Sequence, residues 1–298
     1  MIVQKIDDLG VGAFVGLKLK AYFELLKFRL SFLVAFSSGF GYLLAVKHFD
    51  YITFFMLFLG GFLVSGSSVT INQIIEKDLD KLMSRTQNRP LPTFRISVNE
   101  AILVAGVTAI LGIYLLLMFT NILTTFLAII SMILYSFVYT PLKRVGPVAV
   151  FVGAIPGALP PLLGWIAATG SISHEAMIIF GIQFIWQFPH FWAIAWVADD
   201  DYKKAGFKLL PSGGQKDLNT AIKIMIYTLF LIPLGLLPLQ FGITGITSAS
   251  IVTICGVLFL AQTFSLMKDG SRKSALRIMF GSFLYLPIAQ IAYLLDKV

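Results

Sequence analysis

YITFFMLFLGGFLVSGSSVTINQII, residues 51–75, runs from Tyr51 to Ile75 without a single charged side chain. As a helix rising about 1.5 Å per residue it is long enough to cross some 30 Å of hydrocarbon, more than a soluble core of this size needs. Read outward from it, the chain contains eight more such runs, at about 30–46, 101–119, 122–141, 147–168, 176–198, 224–241, 248–267 and 278–295. The composition agrees: 57% of the 298 residues are apolar and only 13% charged, against about a quarter in soluble domains. This excludes a water-soluble globular protein. The sequence predicts an all-α polytopic membrane protein of nine helices, a single domain over 1–298 whose polar loops are 76–100 and 199–223.

The net charge of +8 raises the question of nucleic acid, and the placement of the basic residues answers it. Of the 23 Lys and Arg residues, all but Lys47 and Lys297 fall in the N-terminal segment or in alternate connections, starting with Lys5, Lys18, Lys20, Lys27 and Arg29. That is the positive-inside pattern, so the excess charge sets orientation and implies no nucleic-acid partner. It predicts a cytoplasmic N-terminus and an external C-terminus, with the lipid bilayer as solvent. Lys20, Glu24 and Lys27 share a helical face, predicting that 14–29 lies along the membrane surface. The single cysteine, Cys255, excludes a disulfide framework or CxxC site.

The longest basic connection opens with NQIIEKDLDKLMSRTQNRPLP, residues 72–92. Asn72, Glu76 and Asp80 are four apart, so on a helix their oxygens converge from one face. One or two carboxylates, with waters and substrate phosphate oxygens, are the ligand set of Mg²⁺. The plain alternative is a solvated helix end, but acids near a helix C-terminus oppose the macrodipole. A second acidic group, Asp199-Asp200-Asp201, closes the sixth span, where three adjacent carboxylates repel one another unless neutralised. Together the groups predict a two-sided acidic mouth on one membrane face, able to bind metal that takes up the charge of a departing diphosphate. Lys143 and Arg144 at the end of the fourth span are topology signals or diphosphate ligands, and Arg85 and Arg89 compete for the second role.

The fifth span contains Pro156, Pro160 and Pro161 with Gly153, Gly157 and Gly164, predicting a broken hydrogen-bond ladder beside a cavity, or close helix packing through small residues. His190, within the sixth span near Trp186, Gln187 and Trp192, is a hydrogen-bonded structural residue, a proton carrier or a haem-iron ligand. Trp186, Trp192, Trp196, Tyr135 and Tyr139 would shield an allylic cation or anchor the interface.

Taken in order, Asn72…Glu76-x-Asp78-x-Asp80-x-x-Met83-x-Arg85-Thr86-x-x-Arg89-Pro90, Tyr139-Thr-Pro-Leu-Lys143-Arg144, Gly157-Ala-x-Pro160-Pro161-x-x-Gly164-Trp165, Trp186-Gln187-x-Pro189-His190-Phe191-Trp192 and Asp201-Tyr202-x-x-Ala205-Gly206 resemble the UbiA superfamily of intramembrane prenyltransferases, in its haem-farnesylating branch. The matches extend over about 72–211. The resemblance implies nine helices around a central cavity and Mg²⁺-dependent transfer of farnesyl from farnesyl diphosphate to a vinyl group of haem B, giving haem O. A haem A synthase or terminal-oxidase assembly would act downstream. It implies catalytic roles for Asn72, Glu76, Asp80 and Asp201, and Mg²⁺ ligation by Asn72, Glu76, Asp80, Asp200 and Asp201. Arg85, Arg89, Lys143 and Arg144 would bind diphosphate, and His190, Trp186 and Gln187 the acceptor. Glu76 stands where Asp is usual, Gln73 where a second Asn is common, and Phe207-Lys208-Leu209 departs from the family's apolar-Pro-Met run. Rival readings are a prenyltransferase for an aromatic or quinone-precursor acceptor, and a transporter, which a broken helix would suit but an absent inverted repeat does not.

Overall fold

The computed structural model describes residues 11–298; Lys5 lies outside the described residues. Among the described residues nine helices are long and apolar enough to cross a membrane. A shorter helix, α1 (Val11–Leu25), precedes them. The spans are α2 (Phe28–Ala45), α3 (Tyr51–Asp80), α4 (Val98–Phe119), α5 (Ile122–Leu142), α6 (Val148–Thr169), α7 (His174–Val197), α9 (Leu218–Gln240), α10 (Ile246–Asp269) and α11 (Arg272–Leu295), with the one-turn-and-a-half α8 (Asp199–Lys204) between α7 and α9. The expected all-α architecture of nine spans is therefore present.

Several ends are fixed by local chemistry. The Asp50 carboxylate accepts from the Ile52 amide at the start of α3. Ser97 and Glu100 form a reciprocal capping box at the start of α4: Glu100 N donates to Ser97 Oγ (3.2 Å) and Ser97 N to Glu100 Oε2 (2.7 Å). The other carboxylate oxygen accepts from Lys18 Nζ at 2.7 Å, so one side chain both starts α4 and holds α1. Ala21 and Leu25 of α1 share a small core with Leu91, Ile96 and Ala101.

The helical spans differ from the expected ones chiefly at their polar ends. α3 continues to Asp80, so Glu76–Asp80 belong to a helix that projects past the apolar run, and the first polar connection is 81–97 rather than 76–100. Likewise 199–204 is helical and α9 already begins at Leu218, within the expected 199–223 loop. The expected shared face of Lys20, Glu24 and Lys27 is corrected: α1 ends at Leu25 and Lys27 is left-handed (φ 44°, ψ 57°), which swings it away from the helix. A Cβ makes that conformation cost roughly 1–2 kcal/mol.

The expected break in the fifth span does not occur. α6 is continuous through Pro156, Pro160 and Pro161 and is the most buried span. Carbonyls deprived of a partner by a proline four residues later are served by neighbouring helices: Gln183 Nε2 donates to Gly157 O at 2.8 Å and Ser131 Oγ to Pro156 O at 3.4 Å. Small residues then bring α2 and α6 into backbone contact, since a Cβ on Gly41 would strike the Pro161 carbonyl and one on Gly164 the Ser38 carbonyl.

α5 is regular to Ile133, then widens into a π-helical turn at Leu134–Tyr139 before resuming at Thr140. Such a turn accommodates an extra residue within the helix and re-aims the residues beyond it. Here it turns Tyr135, Tyr139 and Lys143 toward a common space.

Gly164→Ala should force α2 and α6 apart and lower the melting temperature in detergent by about 5 °C, as overpacking does. Gly181→Ala, where nothing lies within 4 Å, is the control and should leave the melting temperature unchanged.

Candidate functional site

At the end of the bundle where the basic connections lie there is a cavity of about 300 Å³. One wall is the projecting end of α3. Asn72, Glu76 and Asp80 all line it, as their four-residue spacing predicts, and all three are buried. The 81–97 connection supplies Met83, Arg85, Thr86 and Arg89, the π-helical end of α5 supplies Tyr135, Tyr139 and Lys143, and Phe191 and Ile194 come from α7. Tyr202, Phe207 and Leu209 close it from the 198–217 connection, and Lys27 enters from the α1–α2 junction.

Asn72 Nδ2 donates to Thr140 Oγ1 at 3.1 Å, while that hydroxyl donates its proton to Tyr135 O at 2.9 Å. The proton accounting fixes the amide with its nitrogen turned to Thr140, leaving the Asn72 Oδ1 oxygen for a ligand. Glu76 Oε1 pairs with Lys143 Nζ at 2.8 Å, and that ammonium lies 4.7 Å from the centre of the Tyr139 ring. Arg89 Nη1 donates to both oxygens of Asp80, at 2.9 and 2.8 Å. Among the described residues lining the cavity, Lys27, Arg85, Arg89 and Lys143 stand against Glu76 and Asp80, basic side chains outnumbering carboxylates four to two. Burial, followed by the neighbouring charges of Arg89 and Lys143, lowers the Lys27 ammonium to about 7. The donor set fits Mg²⁺: an amide oxygen and two carboxylates are hard oxygen ligands, and the surplus positive charge suits phosphate oxygens completing the shell.

The second acidic group does not form the expected opposing wall. Its carboxylates occupy the first turn of α8, where the helix dipole favours them and the 100° spacing fans them apart. Asp199 pairs with Lys203 at 2.8 Å and Lys216 at 3.3 Å, raising the Lys203 ammonium above its ordinary range. Asp200 is 91% exposed. Asp201 Oδ2 accepts from Ser84 Oγ (2.7 Å) and Arg85 N (3.2 Å), and the hydrogen bond from Ser84 holds its carboxyl well below the usual carboxylate range. Arg85 Nη2 in turn donates to Tyr202 OH at 3.1 Å. Asp201 and Arg85 therefore clasp the two polar connections together beside the cavity.

The remaining candidates lie apart from this wall. Arg144 is exposed and does not line the cavity, because the turn after Leu142 sends it outward while Lys143 points in. Among the five candidate aromatics, only Tyr135 and Tyr139 line it; Trp192 and Trp196 are buried in the apolar core. Gln187 is spent on packing: its Nε2 donates to Ala154 O at 2.9 Å and its amide fills the space left by Gly157. Trp186 stacks on His190 (centroids 4.5 Å) and donates Nε1–H to Ser282 O at 3.0 Å. His190 Nδ1 lies 2.8 Å from Ser282 Oγ, which donates its proton to Met279 O at 2.6 Å. Nδ1 must then carry the ring proton, leaving the Nε2 lone pair free to accept or ligate. Ile194, one turn on from His190, lines the cavity.

Sequence reasoning assigned no role in the site to Lys27, Phe207 or Ser84. Lys27 looked like one of several topological lysines, and no spacing signal distinguishes it. Ser84 lies inside the quoted motif, but its partner is 117 residues away.

Residues 33–286 match the model of the UbiA prenyltransferase family. The chain is 54% identical over 280 residues to protoheme IX farnesyltransferase of Cytophaga hutchinsonii, covering 94% of this chain and 98% of that one. It is 46% identical to protoheme IX farnesyltransferase of Christiangramia forsetii, with 92% of each covered. Among solved structures it is similar in fold to digeranylgeranylglyceryl phosphate synthase, with TM-score 0.78, 22% identity and coverage of 94% and 98%. A UbiA homologue from Archaeoglobus fulgidus bound to GPP and Mg²⁺ gives TM-score 0.66 at 18% identity, with 92% and 99% covered.

Ser84→Ala and Asp201→Asn should each loosen the clasp but add little to one another. A double-mutant cycle read in thermal unfolding should give a coupling of about 1 kcal/mol, and strict additivity would mean the two connections are not held together here.

Proposed function

The chain belongs to the UbiA prenyltransferase family, and we propose that it transfers farnesyl from farnesyl diphosphate to a vinyl carbon of haem B, giving haem O and diphosphate. The observation carrying the chemistry is the cavity that sets three oxygen donors of α3 among four cations at the end of the bundle. The acceptor and the prenyl length rest on the haem-farnesylating relatives, which match over nearly the whole chain.

Asn72, Glu76 and Asp80 would hold Mg²⁺, which when bound supplies charge neutralisation for the leaving diphosphate. Arg85, Arg89 and Lys143 bind the phosphate oxygens; Arg89 and Lys143 are already directed there by their pairing with Asp80 and Glu76. The bond from farnesyl C1 to oxygen breaks with its electron pair leaving on diphosphate. Tyr135 and Tyr139, with ring centroids 5.4 Å apart, line the cavity and would shield the cationic carbon. The vinyl π pair then forms the new carbon–carbon bond, and water takes up the resulting haem-side cation with loss of a proton, leaving a hydroxyethylfarnesyl group. His190, with Nε2 unprotonated and one turn below Ile194, is assigned to holding the haem. Asp201 serves the site by clasping the two connections, and its direct contact with metal is left to the bound state. The basic end faces the cytoplasm of a bacterial-type inner membrane, placing the C-terminus outside.

Incubation of membranes with haem B, farnesyl diphosphate and Mg²⁺, followed by mass spectrometry of extracted haems, should yield a farnesylated hydroxyethyl haem that EDTA abolishes. Asp80→Ala should reduce this turnover at least about 100-fold while the protein remains inserted, as expected when a group stabilising transition-state charge is lost. Pyrophosphate release with a phenolic acceptor and none with haem would keep the fold and overturn the acceptor. His190→Ala should weaken haem binding, seen in the Soret band, without changing affinity for pyrophosphate.

A further inference from the structure

Lys27 is held at the break between α1 and α2, with φ 44° and ψ 57°, a left-handed conformation unfavourable for a residue with a Cβ. The break is built. The Leu25 carbonyl, freed where α1 ends, accepts from Gln73 Nε2 of α3 at 2.6 Å. The Leu26 carbonyl accepts from Ser31 Oγ at 2.8 Å. Ahead of the break, within α1, Glu24 is tied to Arg95 at 2.6 Å and Lys18 to Glu100. α1 is thereby anchored to α3, to the 81–97 connection and to α4, and the strained residue just after it is the one whose side chain lines the cavity.

No described carboxylate lies within 4.0 Å of the Lys27 ammonium, and the two that line the cavity are already paired with Lys143 and Arg89. A half-buried cation with no carboxylate partner among the described residues is unfavourable unless something anionic completes it. Strained backbone maintained by several independent contacts, at the wall of a cavity, is the pattern of a site that is completed by its ligand. We propose that Lys27 is a further diphosphate-binding residue of this cavity, delivered by the α1–α2 break, with Gln73 as the residue that positions it. The inference rests on reading the cavity as a diphosphate site. It adds a cation from outside the two polar connections, and it gives α1 a role in donor binding. It also gives Gln73, one residue from Asn72, a reason to be long: its amide must reach across to the α1 terminus.

The test uses the full chain in detergent, Mg²⁺ and inorganic pyrophosphate, with binding read by calorimetry and folding by thermal unfolding. Lys27→Met and Lys27→Asn remove the charge, the second with a residue that tolerates the left-handed region. Each should weaken pyrophosphate binding about 10-fold or more, the effect of deleting one charge-assisted hydrogen bond. Lys27→Arg should restore most of the affinity, and none should alter haem binding. Wild-type affinity in a folded neutral variant overturns the assignment. So does unfolding of both neutral variants, because the ammonium would then be holding the fold rather than a ligand. If the wild type itself binds no pyrophosphate, the reading of the cavity fails and Lys27 with it.

Discussion

Two carboxylates are buried at the end of α3, and their burial dictates the arrangement of the whole site. Asp80 is fully buried and Glu76 nearly so, and an unpaired carboxylate there would be prohibitively costly. Each is therefore matched by a cation from elsewhere in the chain: Arg89 from the 81–97 connection and Lys143 from the end of α5. These two pairs specify where the connection folds back and how α5 must end. The π-helical turn, the inward Lys143, the outward Arg144 and the Asn72–Thr140 hydrogen bond are all consistent with satisfying them. Pairing also leaves the guanidinium and ammonium facing the cavity, so charges that stabilise the empty site are the ones that would meet phosphate.

The nine spans were legible because hydrocarbon is an undiscriminating solvent: runs such as 51–75 and 101–119 need only be long and apolar. The metal-side wall was legible too, since Asn72, Glu76 and Asp80 lie on one helix and spacing alone puts them together. What depends on a second element was not. The carboxylates at 199–201 looked like an opposing wall, yet the start of α8 fans them apart and gives Asp199 to Lys203 and Lys216, and Asp201 to Ser84. Lys27 is separated from its cavity partners by more than 40 residues, and nothing in its neighbourhood announces a left-handed turn.

The proline-rich α6 shows how local rules yield to packing. Three prolines and three glycines suggest a broken helix, but Gln183 and Ser131 replace the lost donors from neighbouring helices, and the glycines admit the α2 backbone and the Gln187 side chain. Residues that would weaken an isolated helix make this one the most buried of the bundle. The polar side chains around it, Gln183 and Gln187, are accordingly structural, and their chemistry is spent before any substrate arrives.

The widened turn of α5 carries a consequence for how this chain tolerates change in length. In a regular helix one residue is worth about 100° of rotation, so a residue lost from the regular stretch Ile122–Ile133 would wheel Lys143 out of the cavity and bring Arg144 to its bearing, exchanging an ammonium bonded to Glu76 for a bulkier guanidinium. The wide turn at 134–139 already holds one residue more than the ordinary pitch needs, so excising one position there would let the turn close and leave Lys143 near its present bearing. A single-codon deletion is thus absorbed where α5 is wide and read out at its far end as a change of chemical group where it is regular.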